Sequence, residues 1–221
     1  MKILLSWSTG KDSAWSLHLL RQHYPGAVAG LLTTVNEAFD RVAMHAVRRT
    51  MLQAQADAAG LPLHVVNIPW PCSNQQYEAA MKTAIEGFLR TGFTHVAFGD
   101  LFLEDVRRYR ETRLEGTGLT PLFPVWKTKS TADLAHEMIA SGLKAYLTCV
   151  DPRKLDRSFA GRAFDQALLT DLPPSVDPCG ENGEFHTFVW DGPMFQRPVD
   201  VSVGEIVERD NYVFADVCAR P

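Results

Sequence analysis

Ser6-Trp7-Ser8-Thr9-Gly10-Lys11-Asp12-Ser13 joins two apolar segments of different period. Before it, Ile3-Leu4-Leu5 is a short continuous apolar run, the mark of a strand buried on both faces. After it, Ala14-Trp15-Ser16-Leu17-His18-Leu19-Leu20 carries its apolar residues at helical spacing. The junction is made of small, hydroxylated and glycine residues, with one lysine, and with Asp12 where a helix would begin. A strand, a tight turn and a helix N-terminus make an anion site, because first-turn N–H groups lack intrahelical partners and the helix dipole is positive there. Gly10 lets the backbone come close, and Ser8, Thr9 and Ser13 offer hydroxyl donors. The plainer reading is a junction that needs only small residues and a cap.

Outward from this turn, strand and helix patterns alternate. Ala27–Val35 reads as a second strand and Val42–Ala59 as a helix stopped by Gly60 and Pro62. Leu63–Ile68 is a third strand, Asn74–Arg90 a helix, Thr94–Phe98 a fourth strand ending at Gly99-Asp100, and Leu103–Glu115 a helix with Arg107 and Glu111 one turn apart. Leu119–Val125 is strand-like. This alternation predicts an α/β fold, a parallel sheet with helices on both faces. Ligands of such sheets sit beyond the carboxyl ends of the strands, so the opening loop, the turn after Thr34, Pro69-Trp70 and Gly99-Asp100 should face one crevice.

Near Trp126–Ser130 the composition shifts. We expect a domain over residues 1–127 and a smaller α+β domain over 128–221. In the second part, a helix starts at Ser130 or Thr131, Lys144–Val150 is a good strand, and Phe159–Leu169 reads as a helix. Phe185–Val189, Val199–Val203 and Tyr212–Val217 read as short strands. Within it, Gly180-Glu181-Asn182-Gly183-Glu184-Phe185-His186-Thr187 packs two carboxylates, an imidazole and a hydroxyl between glycines. Such a set could serve a metal, a general base or a substrate amine, or be a solvated turn.

The chain has 221 residues, 46% hydrophobic and 22% charged, with a net charge of −4. These values suit a globular domain and disfavour a large nucleic-acid partner, whose footprint would be basic. No apolar run is long enough to span a bilayer, and we expect a cytoplasmic location without a leader. The four cysteines, Cys72, Cys149, Cys179 and Cys218, form no Cys-x-x-Cys pair, so neither a zinc knuckle nor a dithiol motif is supported.

The opening turn lacks the four-residue spacing of a Walker A loop and the three glycines of the Rossmann fingerprint. As Ser8-Thr9-Gly10-Lys11-Asp12-Ser13 it resembles the PP-loop of N-type ATP pyrophosphatases, Ser-Gly-Gly-x-Asp-Ser, with Thr9 at the usual first glycine. Together with Arg48, Gln55, Gly60, Pro62, Gly99-Asp100, Arg107, Glu111 and Asp191-Gly192-Pro193-x-Phe195, the Gly-Glu-x-Gly-Glu run is similar to the diphthine–ammonia ligase family over nearly the whole chain. That resemblance implies a HUP-like, adenine nucleotide α-hydrolase domain and a reaction with ATP and Mg²⁺. A substrate carboxylate attacks the α-phosphate, pyrophosphate leaves, and ammonia or an amine displaces AMP to give an amide. It implies Ser8, Thr9, Gly10, Lys11, Asp12, Ser13, Gly99 and Asp100 at the nucleotide, with Asp12 also at the metal. Asp12, Arg107, Glu181 and Glu184 would take part in catalysis. Arg48, Glu111, Glu181, Glu184 and His186 would meet the substrate, a small-molecule or protein-borne carboxylate. A homo-oligomer is compatible with this picture. The diphthamide enzymes end the second motif Glu-Tyr-Glu-Thr, whereas this chain has Glu184-Phe185-His186-Thr187. The competing readings are a tRNA-modifying PP-loop enzyme and an ATP-binding module without chemistry.

Overall fold

The computed structural model describes residues 1–38, 47–220 and the backbone of 41–42. Five strands form a parallel sheet: β1 (Ile3–Ser6), β2 (Val28–Asn36), β4 (Leu63–Ile68), β5 (His95–Ala97) and β6 (Thr120–Leu122). Their order is β4-β2-β1-β5-β6, and a two-residue strand β3 (Arg41–Val42) adds antiparallel to the far end of β2. The chain steps outward from β1 to β2 and β4, then jumps back across β1 to β5. The order therefore reverses between β1 and β5, which places the ligand crevice over their carboxyl ends.

Each crossover helix buries one stripe. α1 (Lys11–His23) and α2 (Arg49–Ala59) cover one face, with Trp15, Leu17, Met51 and Leu52 in a core that also holds Ile3, Leu5 and Leu31. α3 (Asn74–Arg90) and α4 (Glu104–Leu114) cover the other, packing Phe88 and Leu114 against Leu4, Leu32, Val96 and Phe98. α3 starts at a capping box, in which Ser73 accepts from the Gln76 amide while the Gln76 side chain accepts from the Ser73 amide.

The second sheet is antiparallel, in the order β8-β7-β10-β9, from β7 (Lys144–Val150), β8 (Phe185–Asp191), β9 (Val201–Arg209) and β10 (Tyr212–Ala219). α5 (Thr131–Ala140), capped by Ser130, packs Leu134, Ala135 and Met138 into the core shared by both sheets. The expected boundary after residue 127 falls between β6 and α5. Among the described residues, no helix is long and apolar enough to cross a membrane.

Two expected helices differ. Val42 stands in β3, paired with Val35, and the described part of α2 begins only at Arg49; residues 43–46 of the expected helix lie outside the described residues. Phe159–Leu169 is not one helix but a 3₁₀ turn (Arg157–Phe159) and the short α6 (Gln166–Asp171). Gly161 between them has φ of +80°, and Ala163 bridges to Tyr146 of β7, so the backbone pairs with the sheet instead of itself.

Candidate functional site

The opening turn folds as the patterning requires, with β1 ending at Ser6 and α1 starting at Lys11. Ser8 and Ser13 hydroxyls lie 3.2 Å apart, and Ser13 Oγ also donates to the Gly10 carbonyl at 3.0 Å. Around this turn opens a cleft of about 270 Å³ lined by Ser6, Ser8, Gly10, Lys11, Asp12 and Ser13 from the first motif. Gly99, Asp100 and Arg110 line it from β5 and α4, and Gly180, Glu181, Gly183, Phe185, His186 and Thr187 from the second motif. Both motifs and the end of β5 thus meet at the point where the strand order reverses.

Hydrogen bonds stitch the motifs together. The Lys11 amide, an orphan donor of the first turn, donates to Thr187 Oγ1 at 3.0 Å, so the last residue of the second motif caps α1 from 176 residues away. The Val189 amide donates to the Thr9 carbonyl at 3.0 Å. Gln55, fully buried, accepts from Trp7 Nε1 at 2.8 Å and donates to the Thr9 and Val189 carbonyls at 3.0 and 2.6 Å. The Leu101 amide donates to Glu181 Oε1 at 2.8 Å, which ties the Gly180 loop to the end of β5. Gly99 must be glycine for the same closeness: a Cβ there would lie 2.9 Å from the Asp12 carbonyl carbon and from the Ser13 nitrogen.

Charge is distributed unevenly. Lys11 is buried, and its ammonium reaches both Asp12 oxygens at 2.9 Å and the Cys179 carbonyl. Burial opposes the Lys11 charge, but the Asp12 carboxylate overrides it and the pKa is raised. Burial pushes the Asp12 carboxyl up against the pull of Lys11. Asp100 is likewise raised by burial, with Arg110 opposing at 3.6 Å. Burial drives Glu181 up to about 7, against the pull of the Leu101 amide and with the Asp12 charge adding to the rise. Burial, then Lys11, drives His186 down to about 4, leaving a neutral imidazole at pH 7.

The residues expected at the site separate into groups. Ser8, Gly10, Lys11, Asp12, Ser13, Gly99, Asp100, Glu181 and His186 line the cleft. Thr9 does not: it is fully buried with φ of +73°, and its hydroxyl has no hydrogen-bond partner among the described residues. Glu184 lies behind the second motif, where Oε1 accepts from the Asp177 amide at 3.1 Å and from Asn182 Nδ2 at 3.2 Å. Arg107 and Glu111 pair with each other at 2.8 Å, and the Arg107 guanidinium lies over the Phe123 and Trp126 rings, away from the cleft lining. Arg48, half-exposed, pairs with Asp216 of β10. The cation at the cleft from α4 is Arg110, which the sequence reading passed over. Its one signal in the sequence is that it lies, like Arg107, on the helix that follows Gly99-Asp100.

Fold and site together define an α/β protein of the PP-loop, adenine nucleotide α-hydrolase-like class. Two family models divide the chain between them: the diphthamide synthase N-terminal domain matches residues 1–120 and the diphthamide synthase C-terminal domain residues 130–217. The chain belongs to the diphthamide synthase family. A Schizosaccharomyces pombe protein named diphthine–ammonia ligase is 29% identical over 237 residues, spanning 99% of this chain and 38% of that protein. The Homo sapiens protein of the same name is 26% identical over 247 residues, spanning 98% of this chain and 89% of its own. The zebrafish counterpart is 27% identical over 239 residues, spanning 98% of this chain and 92% of its own. The chain thus spans well under half of the fission yeast relative and most of the vertebrate ones.

Proposed function

We propose that this chain is an ATP-dependent ligase that activates a carboxylate as its adenylate, releases pyrophosphate and forms an amide with ammonia. The observation that carries this reading is the stitching of the Gly180–Thr187 loop onto the N-terminus of α1, which walls the phosphate cleft with the family's second motif. Relatives named diphthine–ammonia ligase support the same chemistry.

The cleft has the lining expected for the triphosphate of a nucleotide. The α1 N-terminus and the Ser8 and Ser13 hydroxyls face it, and a bound ATP would supply the adenylyl group that turns a carboxylate into an acyl donor. Among the described residues, no group of three or more His, Cys, Asp or Glu side chains is arranged to hold a metal by itself. Magnesium bound mostly through phosphates needs one or two carboxylates, and Asp12 and Asp100 both line the cleft. Asp100 sits beside one cation already, with Arg110 Nε 3.6 Å from Oδ2, so a metal there would share the carboxylate with that guanidinium. Lys11 neutralises Asp12 and fixes its orientation, its ammonium held between both Asp12 oxygens and the Cys179 carbonyl. Glu181, with its pKa near 7, can take a proton from an incoming ammonium at neutral pH.

His186 stands where the diphthamide enzymes carry a carboxylate. A neutral imidazole weakens attraction for a cationic acceptor, which favours a carboxylate without a positive charge close to it. Thiolation chemistry is disfavoured, because burial drives both Cys149 and Cys179 up to about 12 and leaves no thiolate at the cleft.

The test is product analysis with ATP, Mg²⁺, ammonium and a panel of carboxylic acids. Acid-dependent release of AMP and pyrophosphate is expected, and it should vanish in Asp12→Asn, which keeps the shape around Lys11. Conversion to ADP and phosphate would refute the α-phosphate route.

A further inference from the structure

Two more cavities continue from the phosphate cleft. One, of about 350 Å³, runs under α3 past Ser8, Thr33, Thr34 and Phe98. The other, of about 540 Å³, opens to solvent between α3 and α4. Among the described residues, Arg110 and Phe98 border all three. Arg110 lies over the Phe98 ring at 5.0 Å and is anchored at 3.6 Å from Asp100. Its Nε is the atom turned to Asp100 Oδ2 in that ion pair. Stacking on Phe98 and the Nε ion pair with Asp100 together fix the plane of the guanidinium, and an incoming anion would meet its two terminal nitrogens.

The outer cavity has apolar walls, Met81, Ile85, Leu89 and Leu114, and its mouth carries mixed charge, with Glu78 paired to Arg113 at 2.6 Å and Lys82 nearby. A mouth of mixed sign selects for neither charge, so discrimination falls to the cation at the inner end. That end adjoins both the phosphate cleft and the inner cavity, where a nucleotide α-phosphate would lie.

We propose that the α3–α4 cleft is the acceptor site, taking a carboxylic acid with an apolar body, its carboxylate inward against Arg110. This rests on the ligase reading. Held there, one carboxylate oxygen forms a bond to the α-phosphorus. The bond from that phosphorus to the α,β-bridging oxygen breaks, and the bridging oxygen leaves with the electron pair as part of pyrophosphate. No proton moves in this step. Arg110 holds the second carboxylate oxygen and lowers the repulsion between the two anions.

The experiment is titration calorimetry on the full chain with Mg²⁺ and α,β-methylene-ATP, using 4-phenylbutyrate and acetate as probes. We expect phenylbutyrate to bind the nucleotide-loaded chain at least about tenfold tighter than acetate, the difference an apolar site gives a buried ring. Lys82→Trp, which fills the mouth, and Arg110→Ala should each weaken phenylbutyrate by about tenfold or more, with Arg110→Lys in between. Nucleotide affinity should hold in Lys82→Trp. Phenylbutyrate bound equally by wild type and Lys82→Trp, or not bound with nucleotide in place, overturns the cleft assignment and leaves the ligase reading standing. Failure of the nucleotide itself to bind sinks both.

Discussion

Thr9 occupies a position whose backbone, at φ of +73°, is one that a β-branched residue adopts only under strain. The family's glycine at this point is thereby explained as a conformational requirement. Whether the threonine hydroxyl reaches the phosphates is answered by its burial: it faces the core, unpaired among the described residues. Thr9→Gly removes left-handed strain of about 1–3 kcal/mol and a buried orphan hydroxyl, against a glycine entropy cost of about 0.5–1 kcal/mol. We expect a net gain of about 1 kcal/mol, read as a higher urea midpoint at unchanged slope. Glu181 gives a second prediction at this scale. Its folded pKa, about 7, lies above its ordinary 4.5. Between those pH values the folded chain keeps a proton that the unfolded chain has released, so stability falls as pH rises through the window and the loss is complete above it. Glu181→Gln, which keeps an acceptor for the Leu101 amide, should therefore be the more stable protein at pH 8, by up to about 3 kcal/mol, and lose that advantage by pH 4.5. Unfolding curves of the nucleotide-free chain across that range decide it.

At the scale of elements, the alternation of strand and helix was legible because both periods are clean in the first 120 residues. Asn74–Arg90 matches α3 residue for residue, since Ser73 and Gln76 make its start unambiguous. Phe159–Leu169 misled because helical spacing of apolar residues also suits a loop that buries Phe159 and Leu168 from two separate turns. Gly161 was the available signal. The contact that matters most between elements is the loop after β5 against the first turn of α1, where Gly99 allows backbone to touch backbone. Gly99→Ala should push these apart and reorient the α1 N–H groups. We expect ATP affinity to drop by about tenfold or more, with a smaller effect on far-ultraviolet circular dichroism. Full affinity in that variant would contradict the assignment of the cleft.

At the scale of the molecule, the two sheets share one buried core, which holds Leu5 and Ala97 of the first and Phe188 and Val189 of the second. Gln55 is the polar counterpart of that core. It spans α2, the opening turn and β8 with three buried hydrogen bonds. Gln55→Leu would orphan the Trp7 indole N–H and weaken two carbonyl contacts at about 1–3 kcal/mol for each group left unpaired. We expect a total loss of about 3 kcal/mol with a single transition retained, since the sheets cannot separate without exposing their common core. Two resolved calorimetric transitions would show that the halves fold independently.

The strand–turn–helix of Ser6–Ser13 was determined by sequence alone, because a change from buried-strand to helical patterning across small residues depends only on neighbours along the chain. So was the family resemblance of the Gly180–Thr187 run. Which side chains share the cleft was decided by tertiary structure. Arg107 and Arg110 carry the same charge on the same helix, and only the docking of α4 on Phe98 turns one inward and lays the other on Phe123 and Trp126. Likewise, nothing local to Thr187 marks it as the cap of a helix 176 residues earlier; that pairing exists because β8 packs across the end of α1.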